Sequence, residues 1–349
     1  MLNVAPVGRE TIDAWPVDGS GLPVRVVNSV RTAGVTTVGQ LRALTDHDLL
    51  GLHSLGRISL SHVRSFFRLC AQIEQGKQSF NSIRELLPLF LDGPEMRVIT
   101  ARYGLDLKEL NGATNCATLQ EIGDAEHKTR ERVRQIQETA VQKLQSRSAS
   151  VCLEPFYIFF TGLLESRGAS ATCSDLAALN GEPVAGGYHI SGILMLLSSL
   201  RPGRITFYND FFSTADEQTI RTLESEAVER LNRSAKPIPL DEILKPMSLS
   251  HDGEENRIRP LLSCILDQCA LVASTVDDRY FTYERGTQNF LVEVLKSLNR
   301  PIHYRKVTDA FNERLKSRSR RGAGFVLEAL NAAPLCTRVD RGIYDLKAG

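Results

Sequence analysis

The sequence is poor in the patterns that mark secreted, membrane or zinc-binding proteins. Its seven cysteines are odd in number and scattered, without a C-x-x-C pair, so they give neither a disulfide framework nor a zinc site. No stretch reaches the ~18 apolar residues of a membrane span, and no basic segment followed by an apolar run opens the chain. We therefore expect a cytoplasmic protein that does not enter a membrane.

Patterns of catalysis are also scarce. The sequence has no P-loop and no complete G-x-G-x-x-G, and its seven histidines are dispersed without metal-ligand spacing. Asp277 and Asp278 lie where a hairpin turn is expected, and turn chemistry explains them more simply than catalysis does. We expect a protein that is not an enzyme and that needs no cofactor and no metal.

Neither sign of charge dominates the protein. The net charge is +1 over 349 residues, so a uniformly basic coat is excluded and any nucleic-acid surface must come from local clusters. Apolar residues at 42% and charged residues at 24% are ordinary globular values, and the length predicts several domains. The position of each charge cluster therefore matters more than the total.

The first helical block follows a segment with little periodicity. Residues 1–20 contain two prolines, two glycines and the only tryptophan, which indicates an N-terminal arm or linker. Four short helices are then predicted within a domain at 21–78, the last of them running from Ser59 to about Glu74. In "SLGRIS" (54–59), Gly56 would let backbone N–H groups approach a phosphate, and Ser59 would cap the helix that follows.

The stretch "LPVRVVNSVRTAGVTTVGQLRALTDHDLLGLHSLGRISLSHV" (22–63) resembles the C-terminal domain of the RNA polymerase alpha subunit. The resemblance implies DNA contact, with Arg25 in the minor groove. The residues expected to touch DNA are Arg25, Asn28, Gly56, Arg57 and Ser59. Ile58 and His62 stand where that family usually has a basic and an acidic residue. The alternative interpretation is a small helical interaction domain without DNA.

A second helical block, at 79–149, ends in a short helix, a tight connection and a longer basic helix, which is the spacing of a helix-turn-helix. In "EHKTRERVRQIQ" (126–137), Val133 and Ile136 would pack inward, and Thr129 would cap the helix and contact phosphate of the DNA. Arg and Gln side chains offer the donors and acceptors that base edges require. The side chains expected on the outer face are Lys128, Arg130, Arg134 and Gln135. The alternative is a solvated face with charge pairs, for example from Glu131.

The succession "RVITARYGL", "TLQEIG" and "TRERVRQIQETAVQKLQ" (97–145) resembles region 4 of primary bacterial sigma factors. This resemblance implies that promoter DNA faces Arg130, Glu131, Arg134 and Gln135. The sequence departs from the family in an irregular loop at 106–117 and in "DAEHK" between the two helices. Counterparts of the sigma regions that melt promoters are not recognisable, so a complete sigma factor is not expected.

Beyond residue 150, strand-like runs begin to follow helices, and we expect winged-helix units at 150–214, 215–286 and 287–349. The clearest hairpin has strands at 336–339 and 343–347. A faint repeat relates 228–244 to 294–311, with Leu231 and Leu298 67 residues apart. The candidate recognition helices of the two middle units, at 190–200 and 256–269, are mostly apolar, so protein contact is at least as expected there as DNA contact.

The last unit resembles winged-helix domains of bacterial polymerase-associated and restriction-linked proteins. Eight Lys/Arg and two acidic residues lie between Arg300 and Arg321, a local charge of +6 that would neutralise phosphates. The residues expected to contact DNA here are Arg305, Lys306, Lys316, Arg318, Arg320 and Arg321. The alternative is a flexible basic loop without a ligand.

Together these patterns predict a mainly α protein in which helix-hairpin-helix-like and helix-turn-helix modules precede α+β winged-helix units. The expected function is non-catalytic recognition of specific double-stranded DNA in transcription regulation, with RNA polymerase as a possible protein partner. Two alternatives remain open. The protein could be the DNA-recognition or adaptor subunit of a multi-protein defence or mobile-element complex, or a polymerase-binding protein that does not bind DNA.

Overall fold

The computed structural model describes residues 1–106, 116–245 and 255–347. The protein divides into two compact bodies. The N-terminal body comprises Met1–Leu163 with Cys173–Ile205, and the C-terminal body comprises Leu164–Thr172 with Thr206–Gly349. The six separate domains expected from the sequence stay a prediction.

The first module is a cluster of short helices. Its helices are α1 (Arg9–Asp13), α2 (Val24–Thr32), α3 (Val38–Arg42), α4 (Asp46–Gly51) and α5 (Arg57–Glu74). Thr37 and Thr45 each accept a hydrogen bond from the third residue of their helix, and that residue's side chain accepts one in return. These reciprocal caps explain why α3 and α4 begin where they do, because they satisfy backbone N–H groups that have no partner inside a helix.

Several side chains of residues 1–20, the segment expected to be an arm or linker, are buried. Ile12, Trp15 and Val17 are buried, and Trp15 and Val17 exchange backbone hydrogen bonds with the segment before α3. Two strands, β1 (Leu2–Asn3) and β2 (Ser79–Phe80), pair antiparallel. The segment shows no periodicity because it folds as a five-residue helix and short bridges, yet its apolar side chains complete the core.

The second module is a helix-turn-helix. Its helices are α6 (Ile83–Leu86), α7 (Gly93–Arg102), α8 (Leu119–Glu126) and α9 (Arg130–Leu144). Val98, Ile122, Val133 and Ile136 form a shared buried core, so one face of each of the last three helices is fixed against the others. Most of the irregular loop expected at 106–117 lies outside the described residues.

The remaining elements form winged modules with one element order. The first has α10 (Arg147–Glu165), β3 (Ser170–Thr172), α11 (Cys173–Ala177), α12 (Ile190–Leu200), β4 (Thr206–Tyr208) and β5 (Phe211–Ser213). The second has α13 (Glu217–Ser234), β6 (Ile238–Pro239), α14 (Leu240–Leu244), α15 (Glu255–Gln268), β7 (Val272–Ser274) and β8 (Arg279–Thr282). The third has α16 (Thr287–Leu298), β9 (Ile302–His303), α17 (Tyr304–Glu313), α18 (Ala323–Ala332), β10 (Cys336–Asp340) and β11 (Ile343–Leu346).

Sheet topology is the same in each winged module. The strand orders are β3-β5-β4, β6-β8-β7 and β9-β11-β10, so the short first strand always pairs with the second strand of the hairpin. A residue with left-handed backbone precedes that first strand in every module: Ala169, Ala235 and Asn299. The faint sequence repeat therefore corresponds to a repeated structural unit, and the mainly α architecture with α+β winged units is confirmed.

Candidate nucleic-acid interface

The turn between α8 and α9 is tight and has a specific backbone geometry. His127 ends α8 with a left-handed backbone (φ 52°), and the N–H of Lys128 donates to the carbonyl of Gly123 at 2.9 Å. A Cβ at Gly123 would lie 2.7 Å from the Lys128 carbonyl oxygen. Glycine is required there because a real Cβ does not approach a backbone oxygen so closely. The turn thereby fixes where α9 begins.

Helix α9 has one buried and one exposed side. The hydroxyl of Thr129 accepts a hydrogen bond from the N–H of Arg132 at 3.2 Å, which confirms the expected cap. The buried side chains are Val133, Ile136, Ala140 and Leu144. The exposed side chains include Arg130, Glu131, Arg134 and Gln135. The four residues that the sigma resemblance turns toward DNA thus share the solvent-facing surface of this helix.

Arg134 is held by carboxylates of its own helix. Its guanidinium donates to both oxygens of Glu131, at 2.7 and 2.8 Å, and to Glu138. The hydrogen bond from Arg134 lowers the pKa of Glu131 to about 2. Among the described residues, Arg130 makes no side-chain hydrogen bond or ion pair. A base edge or phosphate therefore meets a free Arg130 and must compete with Glu131 and Glu138 for Arg134.

Lys128 supports the turn. Its ammonium donates to a carboxylate oxygen of Glu126 at 2.9 Å, and Arg97 of α7 donates to both oxygens of the same carboxylate at 2.8 and 3.0 Å. These hydrogen bonds, that from Arg97 foremost, lower the pKa of Glu126 to about 2. Sequence reasoning missed Glu126, because the signal is a contact with Arg97, 29 residues earlier.

The first module presents a cleft between α2 and the connection that leads to α5. The Nε of Arg25 donates to the Ser54 carbonyl at 2.9 Å, and the hydroxyl of Ser29 donates to the His53 carbonyl at 2.8 Å. Arg25 and Asn28 are both exposed and line this cleft. Two of the predicted DNA-contacting residues are thus brought together. Ser29 was not singled out, although it positions the wall of the same cleft.

Helix α5 begins earlier than expected. It starts at Arg57 behind Gly56, whose carbonyl accepts from the N–H of Leu60 at 3.0 Å, so Ser59 lies in the first turn and does not cap the helix. The error arises because Gly56 and Ser59 are both acceptable caps by residue type, and only the extended backbone of Gly56 decides. The first turn has no acidic residue and no side-chain cap, so its backbone N–H groups have no side-chain partner that would compete with an anion.

Lys316, in the basic cluster of the third winged module, is held by two carboxylates. The ammonium of Lys316 lies 3.0 Å from Asp267 and 2.9 Å from Asp278. Burial acts to lower the pKa of Lys316, but its hydrogen bonds and the two carboxylate charges outweigh burial and raise it. The backbone N–H of Lys316 donates to the carbonyl of Ser274 in β7 at 2.9 Å. Lys316 is therefore a half-buried ion-pair partner of two carboxylates, and its expected contact with phosphate stays a prediction.

The other residues of this cluster that we expected to contact DNA differ in whether their side chains already have a partner within the protein. Arg318 pairs with Asp210 at 3.2 Å, and the guanidinium carbon of Arg321 lies 3.8 Å from the ring centroid of Tyr283. Of the residues predicted to contact DNA here, three are exposed and have no carboxylate partner among the described residues: Arg305, Lys306 and Arg320. Those three are the most available for phosphate.

In the first and third winged modules, the third helix is mostly apolar. Helix α12 buries seven of its eleven residues, and a Cβ at Gly192 would lie 2.6 Å from the carbonyl of Tyr103. The hydroxyl of Ser199 donates to the Tyr103 hydroxyl at 3.0 Å, so α12 lies against the end of α7. Helix α18 carries Glu328 as its only charged residue. Base readout by these two helices is not supported by their composition.

The two N-terminal modules resemble DNA-binding domains of the transcription machinery. Residues 9–67 match the family model for the C-terminal domain of the bacterial RNA polymerase alpha subunit, and residues 91–146 match that of Sigma-70, region 4. Both resemblances inferred from the sequence are confirmed. Comparison with curated proteins gave no match. Both matched domains interact with DNA and RNA polymerase, and neither is a catalytic domain.

The described ranges contain neither a membrane-spanning helix nor a candidate metal site. No helix there combines the length and the hydrophobicity needed to cross a bilayer. No group of three or more His, Cys, Asp or Glu side chains in those ranges is arranged to hold a metal ion.

Proposed function

We propose that this protein recognises specific DNA in transcription regulation and that the first turns of α9 are its base-reading surface. The observation that carries the proposal is the exposed row of Arg130, Glu131, Arg134 and Gln135 on a helix whose opposite side is buried. A paired contact of an arginine with guanine, or of a glutamine with adenine, discriminates against a wrong base by ~1–3 kcal/mol. Two or three such contacts suffice for a preferred sequence.

The first module would add affinity with less base discrimination. Arg25 and Asn28 flank a cleft, and the N-terminus of α5 offers backbone N–H groups suited to phosphate. Exposed cations of the third winged module, including Arg305 and Arg320, would add further phosphate contacts. Weak contacts on one polypeptide reinforce one another through effective concentration.

The proposal is tested by sequencing the fraction of a random duplex pool that the protein binds at several salt concentrations. We expect the wild type to enrich a motif and Arg130→Ala/Arg134→Ala to lose it while keeping salt-sensitive background binding. Arg221→Ala/Arg233→Ala is the matched control, because both arginines form exposed i,i+4 ion pairs on α13. A motif that survives the α9 change would overturn the assignment of base reading to α9.

An adaptor role is the second candidate, and one observation favours it. Leu335 and Val339, at the third hairpin, are 56% and 57% exposed, and β10 is an edge strand. Exposed apolar side chains at a sheet edge are typical of surfaces that bind protein. Titration of the protein with purified RNA polymerase, without DNA, tests this role. Binding by the wild type that is lost in Leu335→Ser/Val339→Ser supports an adaptor role. The absence of binding by the wild type argues against an adaptor role toward RNA polymerase.

A further inference from the structure

We propose that the cleft of the first module and the exposed face of α9 read one composite DNA site with a single allowed spacing. This inference rests on the proposed function and concerns how its two DNA-binding surfaces cooperate. It follows from the way α10, which begins directly after α9, is attached to the first module within the N-terminal body. These contacts are several, partly buried and distributed along the sequence.

The first contact joins the segment before α2 to the start of α10. The N–H of Arg147 donates to the Gly19 carbonyl at 2.8 Å, and the hydroxyl of Ser148 donates to the Ser20 carbonyl at 2.5 Å. Ser20 and Ser148 are 0% and 1% exposed. Breaking the hydrogen bond between Ser148 and Ser20 without admitting water would leave buried polar groups unpaired, which costs ~1–3 kcal/mol for each group. Such a junction resists opening.

Close packing at Gly21 also constrains this junction. Gly21 has φ +106°, and a Cβ there would lie 2.6 Å from the hydroxyl oxygen of Ser148. Only glycine, which lacks a Cβ, combines that backbone conformation with so close an approach. The segment therefore sits directly on α10, only a few residues before α2 begins at Val24.

The same junction is coupled to α9. Only Gln145 and Ser146 separate α9 from α10, and the flanking Leu144 and Ala149 are buried. A helix followed so closely by another, with both ends packed, has little freedom to change direction. The orientation of α9 is thereby tied to the segment that leads into α2.

A second contact lies on the other side of the first module. Leu2 pairs with Phe80 across the β1-β2 ladder, and the ring of Phe80 lies 6.2 Å from that of Phe156 in α10. The segment leaving α5 is thus held to the same helix that anchors Gly19 and Ser20. Two separated attachments prevent the rotation that a single one would allow.

A rigid joint and a flexible linker predict different DNA preferences. With a flexible linker, two subsites are bound together over a range of separations, and affinity changes slowly with length. With a rigid joint, only one separation and one relative rotation fit. Because B-DNA turns once in ~10.5 base pairs, an insertion of ~5 base pairs moves one subsite to the opposite face of the duplex.

The experiment uses the full-length protein and duplexes that carry the two subsites enriched in the pool selection, separated by every spacer over about two helical turns. We expect one preferred spacing, with a loss of at least ~10-fold in affinity when ~5 base pairs are inserted. Equal affinity across spacers would overturn the inference. Failure to enrich any α9-dependent motif would instead overturn the proposed function, so the two failures are distinguishable.

Two variants address the joint itself. Gly21→Val places a side chain against Ser148, and Ser148→Ala removes one hydrogen bond without adding bulk. We expect both to keep affinity for each single subsite and to broaden the spacing preference, Gly21→Val more than Ser148→Ala. Retained single-subsite binding with an unchanged sharp preference in both variants would show that this junction does not set the spacing.

Discussion

Lys143 of α9 donates to both carboxylate oxygens of Glu95 in α7, at 2.6 and 2.7 Å, and Glu95 is only 5% exposed. The same carboxylate accepts a hydrogen bond from the N–H of Asp92 at 3.0 Å and so caps α7. One buried side chain therefore fixes where α7 begins and how α9 lies against it.

Replacing this carboxylate should weaken the helix-turn-helix module. We expect Glu95→Ala to lower the free energy of unfolding by ~2–5 kcal/mol, because it leaves Lys143 unpaired and removes the cap. Urea unfolding followed by circular dichroism measures the change. Glu217→Ala is the control: its exposed i,i+4 pair with Arg221 should contribute less than ~0.5 kcal/mol. Equal effects of the two changes would contradict this role for Glu95.

The role of Gly123 in the tight turn before α9 can be tested by comparing two Gly→Ala substitutions. Gly123→Ala should destabilise the protein by ~1–3 kcal/mol and weaken motif binding, since its Cβ meets the backbone of Lys128. Gly162→Ala, in α10 with no atom near the added Cβ, should be neutral or stabilise by up to ~1 kcal/mol. Thermal melts and DNA titrations on both variants check this. A Gly123→Ala protein that binds the motif at full affinity would show that the turn tolerates a side chain.

Acid should selectively weaken the contact of α7 with the turn. The pKa of Glu126 is lowered from its ordinary 4.5 to about 2, mainly by the hydrogen bond from Arg97. Because the folded pKa is depressed, this stabilisation is complete above about pH 4.5 and is lost as the pH falls through about 2. We expect wild type to be more stable than Glu126→Gln at pH 6 and the difference to shrink steadily below pH 4.5. A difference independent of pH would rule out this carboxylate as the cause.

Cations of the third winged module should separate into structural and DNA-binding groups. Lys316→Ala removes the partner of Asp267 and Asp278 and should lower stability without changing the salt dependence of DNA binding. Arg320→Ala should leave stability within ~0.5 kcal/mol and reduce the slope of log affinity against log salt by ~1. Unfolding and salt titrations on the same samples measure both. If Lys316→Ala instead reduced the salt dependence while Arg320→Ala lowered stability, Lys316 rather than Arg320 would be the DNA-contacting residue.

Local signals in the sequence were sufficient for many elements. The helix-turn-helix was predictable because Thr129, the apolar spacing of Val133 and Ile136, and the short connection all act within about fifteen residues. The hairpin around Arg341 and Gly342 was predictable for the same reason, since turn chemistry and alternation are local.

Contacts between distant residues were not predictable in this way. Ser20 and Ser148 are 128 positions apart, and nothing near Ser20 indicates that its carbonyl meets α10. Lys316 and Asp267 are 49 positions apart, so the basic run looks like free positive charge until the fold brings the carboxylate to it. Charge clusters read from sequence overstate what is available to a ligand, because internal pairing depends on tertiary structure.

Arg134 already donates three hydrogen bonds to Glu131 and Glu138, so a ligand that takes these donors must displace a carboxylate. On the proposed function, a lone phosphate on random duplex replaces one carboxylate and leaves two negative charges beside the DNA. A guanine edge instead presents two acceptors, N7 and O6, in the geometry of the guanidinium fork, so it can take two N–H groups at once. On the proposed function, sequences that do not replace the carboxylate hydrogen bonds of Arg134 are released quickly. The dwell time on DNA rises only where the base edge replaces those hydrogen bonds.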